Sequence, residues 1–308
     1  MNESILITGA NAGLGKETAR QLAFKNETKR IILFCRNQGK AEAAKKDLEE
    51  KTGKKIFEIL IGDVSDANSV RKAVEKIKEP IDAVILNAGG VIGKTAGNLT
   101  TSGMNELAAT NILGNVLLVE ELIKRSLLKK TVLTVSAEAV PGVKMLGMKP
   151  VSMKTSSVEE FTSVLNGSYF GNTFEAIQAY GYVKYVVTLW TLSMARKYPD
   201  LKFVVISPGN TGGTNAPESL PPFMKFMVKN LMMPIVFPLI GEMVHPLEVG
   251  ARRFVDGLTD ERYKSGVFYA SKEGKLSGDL VDQSSFYMDL KNTSFQDNAY
   301  EAIHRFIQ

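Results

Sequence analysis

Ser4-Ile5-Leu6-Ile7-Thr8-Gly9-Ala10-Asn11-Ala12-Gly13-Leu14-Gly15 is the stretch that decides the fold. Ser4–Ile7 reads as a short buried strand, and the run KETARQLAFK that follows the glycines reads as a helix. Strand, glycine-rich turn and helix together make a phosphate-binding arrangement. Glycines let the backbone approach a pyrophosphate closely, and a helix amino terminus offers unpaired N–H groups and a favourable dipole. Thr8, Gly9, Asn11, Ala12, Gly13, Leu14 and Gly15 are therefore candidate cofactor-binding residues.

The same alternation continues outward. A second strand, Arg30–Cys35, ends at Arg36, where dinucleotide folds commonly carry an acidic residue for the adenosine 2′-hydroxyl. A guanidinium there suits a 2′-phosphate, which argues for NADP(H) over NAD. Helix 40–51 leads to a third strand, Lys55–Ile61, ending in Gly62-Asp63-Val64. A helix near Asp66–Lys78 precedes a fourth strand, Ile81–Leu86, ending in Asn87-Ala88-Gly89-Gly90. The helix expected near Gly103–Leu128 carries Asn111, and a fifth strand, Thr131–Val135, runs into Ser136-Ala137-Glu138. A sixth, Leu201–Ser207, is followed by Pro208-Gly209-Asn210-Thr211, and a seventh is expected at Gly266–Ala270. Helices are expected near Leu247–Gly257 and Asn298–Ile307. Continuous apolar strands alternating with helices predict an α/β fold, a doubly wound Rossmann-type parallel sheet of about seven strands with helices on both faces. Residues 1–308 are expected to form a single domain.

Composition narrows the function classes. A formal charge of +5, spread without blocks of one sign, favours anionic ligands mildly and argues against nucleic acid. Cys35 is the only cysteine, so an intrachain disulfide is impossible and a reducing, cytoplasmic setting is expected. With only His245 and His304, a histidine metal site or a Ser/His/Asp triad is not expected. Met1-Asn2-Glu3 runs straight into the first strand, so no leader or amino-terminal anchor is expected.

Tyr180 and Lys184, in AYGYVKYVV, lie four apart and so share one face of a helix. A free phenol titrates near ~10 and is a poor proton acceptor at neutral pH. An ammonium close by favours the phenolate, so the pair has the makings of a proton-transfer device.

These motifs, in order over residues 4–214, resemble the short-chain dehydrogenase/reductase family. Thr8–Gly15 is similar to its TGxxxGxG loop, Asp63 to its adenine-contacting residue, and Asn87-Ala88-Gly89 to its NAG motif. Asn111 matches the helix asparagine of the catalytic tetrad, Tyr180-x-x-x-Lys184 matches YxxxK, and Pro208-Gly209 matches the turn beside the nicotinamide. TGANAGLGKETARQLA and FCRN most resemble the branch of retinol-dehydrogenase-like, WW-domain-oxidoreductase-like and light-dependent protochlorophyllide-reductase-like proteins. The resemblance implies hydride exchange between nicotinamide and a carbonyl or carbinol carbon. Tyr180 would exchange the proton, Lys184 would lower its pKa and hold the ribose, and Asn111 would position a water. Three departures stand out. Ser136-Ala137 replaces a Ser-Ser-like pair whose second member polarises the carbonyl, so either Ser136 or a hydroxyl of the following insertion substitutes, or the oxyanion is stabilised more weakly. Val183 stands where a serine often precedes the lysine, and Thr211 and Gly213 occupy the usual valine and threonine positions.

Two further segments are expected to shape the substrate site: an insertion at residues 143–179 and a lid at residues 215–246. The lid holds Phe223, Met224, Phe226, Met227, Met232, Met233, Phe237 and Met243, an adaptable apolar lining suited to a bulky lipophilic small molecule. Within it, Lys225, Lys229, Pro234 and Pro238 argue against a transmembrane segment but leave room for shallow docking on a membrane surface. Tyr182, Trp190 and Tyr198 surround the helix through which relatives often form a homodimer, and they serve equally as core packing. The expected activity is an NADP(H)-dependent oxidoreductase. The alternatives are a weakly active or non-catalytic NADP-binding sensor, and a carbon–carbon double-bond reductase.

Overall fold

A computed structural model describes residues 2–93, 95–143, 148–172, 174–212 and 244–307. The apolar runs form strands β1 (Ser4–Thr8), β2 (Arg30–Cys35), β3 (Phe57–Ile61), β4 (Ile81–Leu86), β5 (Leu128–Val135), β6 (Lys202–Ile206) and β7 (Val267–Ser271). They pair in parallel in the order β3-β2-β1-β4-β5-β6-β7, which reverses direction between β1 and β4. An eighth strand, β8 (Leu280–Asp282), adds antiparallel to the β7 edge. The expectation of about seven strands is corrected to eight. A strand of three residues has too little sequence to show a period and is held by its pairing with β7.

Helices α1 (Gly13–Ala23), α2 (Gln38–Thr52) and α8 (Leu247–Thr259) lie on one face of the sheet. The other face carries α3 (Ala67–Glu75), α4 (Glu106–Ala108), α5 (Gly114–Lys124), α6 (Val158–Asn166), α7 (Ala176–Lys197) and α9 (Thr293–His304). Two apolar cores, one per face, result from strands buried on both sides. The helix expected near Gly103–Leu128 is three pieces, because residues Ala109–Leu113 between α4 and α5 form a π turn around Asn111. Gly114 then packs so closely on Val64 that a β-carbon would overlap the Val64 main chain, and its N–H donates to the Val64 carbonyl at 2.8 Å.

The insertion at residues 143–179 contains α6, capped by Ser157, whose hydroxyl accepts from the Glu160 N–H at 3.2 Å. Phe161, Val164 and Leu165 of α6 and Ala299, Ala302 and Ile303 of α9 join the same core as Tyr185 and Trp190 of α7. Ser193 and Arg196 of α7 bind Asp297 of α9 at 2.7 and 2.5 Å. The chain's own α6 and α9 therefore pack on α7, and Trp190 is fully buried within the chain, as core packing. Residues 215–243 of the expected lid, with all its named Phe and Met residues, lie outside the described residues.

Candidate active site

The carboxyl ends of β1 and β4 are joined by a network built on side chains that the strand register brings together. Thr8 Oγ1 accepts from the Ala88 N–H at 2.9 Å and pairs with Asn115 Oδ1 at 2.9 Å. Asn87 Nδ2 donates to the Thr8 and Gly9 carbonyls at 2.9 and 3.3 Å. Asn115 Nδ2 donates to the carbonyls of Ala88 and Asn111 at 2.8 and 3.1 Å. Asn115 escaped the sequence reading; its spacing of four from Asn111 on one helix was the available signal.

Above this junction the glycine loop forms a cradle. Gly9 and Gly13 take φ of +68° and +52°, a region costly for other residues. A β-carbon on Gly15 would lie 2.6 Å from both Asn87 Nδ2 and the Gly9 carbonyl. The backbone at the α1 amino terminus is thus bare of side chains where a phosphate must approach, so the residues present fit a dinucleotide. Leu14 is half-buried and its carbonyl accepts from Thr18 Oγ1 at 2.7 Å. Beneath the loop, burial pushes the Cys35 thiol up to about 11, so it stays neutral.

Arg36 is mostly exposed at the end of β2 and sits 3.7 Å from Asp63 at the end of β3. The other oxygen of Asp63 accepts from the Ser65 N–H and hydroxyl at 2.9 and 2.7 Å. Asp63 and Arg36 thus form the outer end of the crevice, and Val64 serves it by seating α5.

At the inner end, α7 lies against β5. Lys184 is 3% exposed and donates to the Val135 carbonyl at 2.9 Å, with its Nζ 5.6 Å from the centre of the Tyr180 ring. Burial holds the ammonium down at about 7. Tyr180 is partly exposed as a residue, but burial around its phenol pushes it well above the ordinary tyrosine value. The expectation that Lys184 lowers the Tyr180 pKa is not met in the free site, where burial raises it and the Lys184 ammonium is turned toward the Val135 carbonyl. Tyr180 is therefore a protonated phenol at neutral pH, the form that can donate.

Asn111 is 2% exposed, and its side chain is committed to main chain. Oδ1 accepts from Gly90 N–H at 2.8 Å, and Nδ2 donates to the carbonyls of Gly90 and Leu107 at 3.0 and 2.9 Å. The Gly89 backbone, at φ +143°, is pressed against this amide. Asn111 thus fixes the NAG turn through its side chain, rather than extending that side chain toward a water.

Ser136 is also committed. Thr188 Oγ1 donates its proton to the Lys184 carbonyl at 2.7 Å, so the 2.8 Å contact between Ser136 Oγ and Thr188 Oγ1 uses the Ser136 proton. At 1% exposure, Ser136 is a buried support for α7 and not a free donor. Ala137, partly exposed, carries no hydroxyl. Ser136 as substitute for the missing carbonyl-polarising hydroxyl finds no support in this arrangement.

The buried lysine has a consequence for stability. Its folded value, about 7, lies below the ordinary lysine value of 10.5, so the unfolded chain binds the extra proton between those limits and stability rises with pH there. We expect Lys184→Met to stabilise the ligand-free protein most below pH 7, on the order of a few kcal/mol. The gain should shrink as pH rises toward 10.5. Thermal unfolding of both proteins across that range checks this; a gain independent of pH would contradict it.

Residues 3–144 match the family described as short chain dehydrogenase. That match takes in a little under half of the chain and makes this segment similar to the short-chain dehydrogenase/reductase family. Among similar proteins, Dehydrogenase/reductase SDR family member 12 of Bos taurus is 35% identical over 122 residues, 39% of this chain and 37% of that protein. Human Retinol dehydrogenase 13 is 34% identical over 124 residues, 39% of this chain and 36% of that protein. The matched segments thus span little more than a third of these relatives' lengths, and the retinol-dehydrogenase-like resemblance rests on them. A short chain dehydrogenase from Burkholderia cenocepacia J2315 in complex with NADP superposes with a TM-score of 0.61, at 15% identity, covering 90% of this chain and 98% of that one. That likeness shows a shared fold. No helix among the described residues is long and apolar enough to cross a membrane.

Proposed function

We propose that this protein is a short-chain dehydrogenase/reductase, an NADP(H)-dependent oxidoreductase acting on a carbonyl or alcohol of a bulky lipophilic molecule, with Tyr180 as acid/base. The observation that carries this is the placement of a protonated Tyr180 and buried Lys184 at the end of β5, across the β1/β4 reversal from the bare glycine cradle. Ligands of open α/β sheets lie in such a crevice. A bound nicotinamide supplies the hydride donor or acceptor. Gly9, Gly13 and Gly15 would admit the pyrophosphate, and Arg36 and Asp63 would hold the adenosine end. Thr211 and the Pro208-Gly209 turn would border the nicotinamide, and Lys184 would hold its ribose. Tyr180 would deliver the proton to the substrate oxygen, or accept it in the reverse direction.

The second reading, a weakly active NADP-binding sensor, is favoured by one observation. Ser136 is committed to Thr188, and residue 137 carries no hydroxyl to polarise the substrate oxygen. A missing oxyanion donor costs roughly a hundredfold or more in rate.

Arg36 provides the test of cofactor choice. Titration calorimetry should show NADPH binding more tightly than NADH, with the gap narrowed about tenfold by Arg36→Ala. Equal affinities in the wild type would remove the NADP assignment.

A further inference from the structure

The turn after β6 rests on buried groups drawn from distant parts of the chain. The guanidinium of Arg253, 6% exposed, donates to the Ser207 carbonyl at 3.1 Å, to Ser271 Oγ at 3.1 Å and to the Gly278 carbonyl at 2.7 Å. Its counter-charge is Glu138, 3.5 Å away and itself 7% exposed, which accepts from the N–H and hydroxyl of Ser271 at 3.1 and 3.0 Å. The next carbonyl along, that of Pro208, lies 2.7 Å from His245 Nε2. A carbonyl only accepts, so Nε2 carries the imidazole proton. The same nitrogen is 3.3 Å from Thr211 Oγ1. Main-chain bonds add to these: the His245 N–H donates to the Asn210 carbonyl, and its carbonyl accepts from Gly212 N–H, each at 3.0 Å. Gly209 completes the fit, with φ +72° and room for no β-carbon, which would come 2.7 Å from both Arg253 Nη1 and His245 Nε2.

His245 is 8% exposed, and its Nδ1 is buried without a hydrogen-bond partner among the described residues. A ring that leaves one polar atom unsatisfied is a poor device for stability alone. Its other edge holds two groups of a single turn. Successive carbonyls, at Ser207 and Pro208, are thus pulled into the protein by Arg253 and His245, which fixes the outer face of residues 208–211.

We infer that His245, supported by the Arg253–Glu138 pair, is a positioning residue that sets the Pro208–Thr211 turn for the nicotinamide end of the cofactor. The inference rests on the function proposed above. The adenosine end is assigned to Arg36 and Asp63 beyond β1, so the β6 turn, on the opposite side of the sheet reversal, faces the nicotinamide. His245 then acts on one half of the ligand and not on the other.

That asymmetry is the test, made on the full chain by direct binding. Two probes suffice: NADPH, and adenosine 2′,5′-bisphosphate, which keeps the adenosine end and lacks the nicotinamide. His245→Leu removes the Nε2 donor and is expected to weaken NADPH about tenfold, in keeping with one lost hydrogen bond plus a loosened turn, while leaving the bisphosphate unchanged. His245→Gln, with an amide N–H in reach of the Pro208 carbonyl, should recover most of the NADPH affinity. Gly209→Ala, whose β-carbon would push the turn away from Arg253 and His245 while leaving both residues in the chain, should show the same selective loss. Equal weakening of both probes in His245→Leu and Gly209→Ala would reduce His245 to a fold-supporting residue and overturn the inference. Unchanged NADPH affinity in both variants would also overturn it, while leaving the proposed function intact. Failure of the wild-type protein to bind NADPH at all would instead overturn the proposed function.

Discussion

Tyr180→Phe is expected to lower turnover by at least about a hundredfold while leaving NADPH affinity unchanged, because it removes the proton and little else. The phenyl ring keeps its packing against the core that α7 shares with the insertion. It also keeps the ring face toward Lys184, whose Nζ lies 5.6 Å from the centroid and is anchored on the Val135 carbonyl. What disappears is the Tyr180 hydroxyl, which burial holds in its protonated form. With Ser136 bound to Thr188 and Ala137 lacking a hydroxyl, Tyr180 stands without the serine partner that the family pattern would put beside it. The dependence on Tyr180 should be correspondingly steep. Steady-state rates and separate binding titrations check this. Full activity in Tyr180→Phe would take the phenol out of the mechanism, and a matching loss of NADPH affinity would make it a binding residue.

Gly15→Val is expected to abolish measurable dinucleotide binding at concentrations that saturate the wild type. Its β-carbon would need to occupy space 2.6 Å from the Gly9 carbonyl and from Asn87 Nδ2. The first of these is backbone and cannot rotate away. The second is the amide that ties Thr8 and Gly9 to the end of β4. Relief requires moving the loop off the β1/β4 junction. Overpacking of this kind costs about 1–3 kcal/mol in a tight site, and the displaced loop would also block the approach of the phosphates. A lowered unfolding temperature should accompany the loss. Wild-type affinity in Gly15→Val would show that the cradle is not the phosphate site.

How much of this was legible in the sequence differs by the range of the interaction involved. The glycine loop could be read because Gly9 and Gly13 take a backbone conformation that the residue type itself announces. Strands buried on both faces announced the parallel sheet in the same way. Helix α6 carries a Ser157-x-x-Glu160 cap, a local signal within an insertion that the sequence reading treats only as a segment shaping the substrate site. Tyr180 and Lys184 share a helix, so their spacing revealed them. Their protonation did not follow from spacing, because it depends on burial beneath segments far away in the chain. The same limit applies to Ser136, whose partner Thr188 is 52 residues distant. It applies more strongly to Glu138, Arg253 and His245, which meet only where the ends of β5, β6 and β7 come together. Nor could the apolar surface of α7 say what covers it. Trp190 suggested a second copy of the chain as readily as a core, and the structure places α6 and α9 of the same chain there.

The most direct test of the account is consumption of NADPH by the wild-type protein with a panel of lipophilic aldehydes, ketones and enones, each product being identified. Consumption matched mole for mole by an alcohol formed from the carbonyl group is the expected result. Firm NADPH binding with no consumption across the panel would contradict it and leave a cofactor-binding protein without turnover.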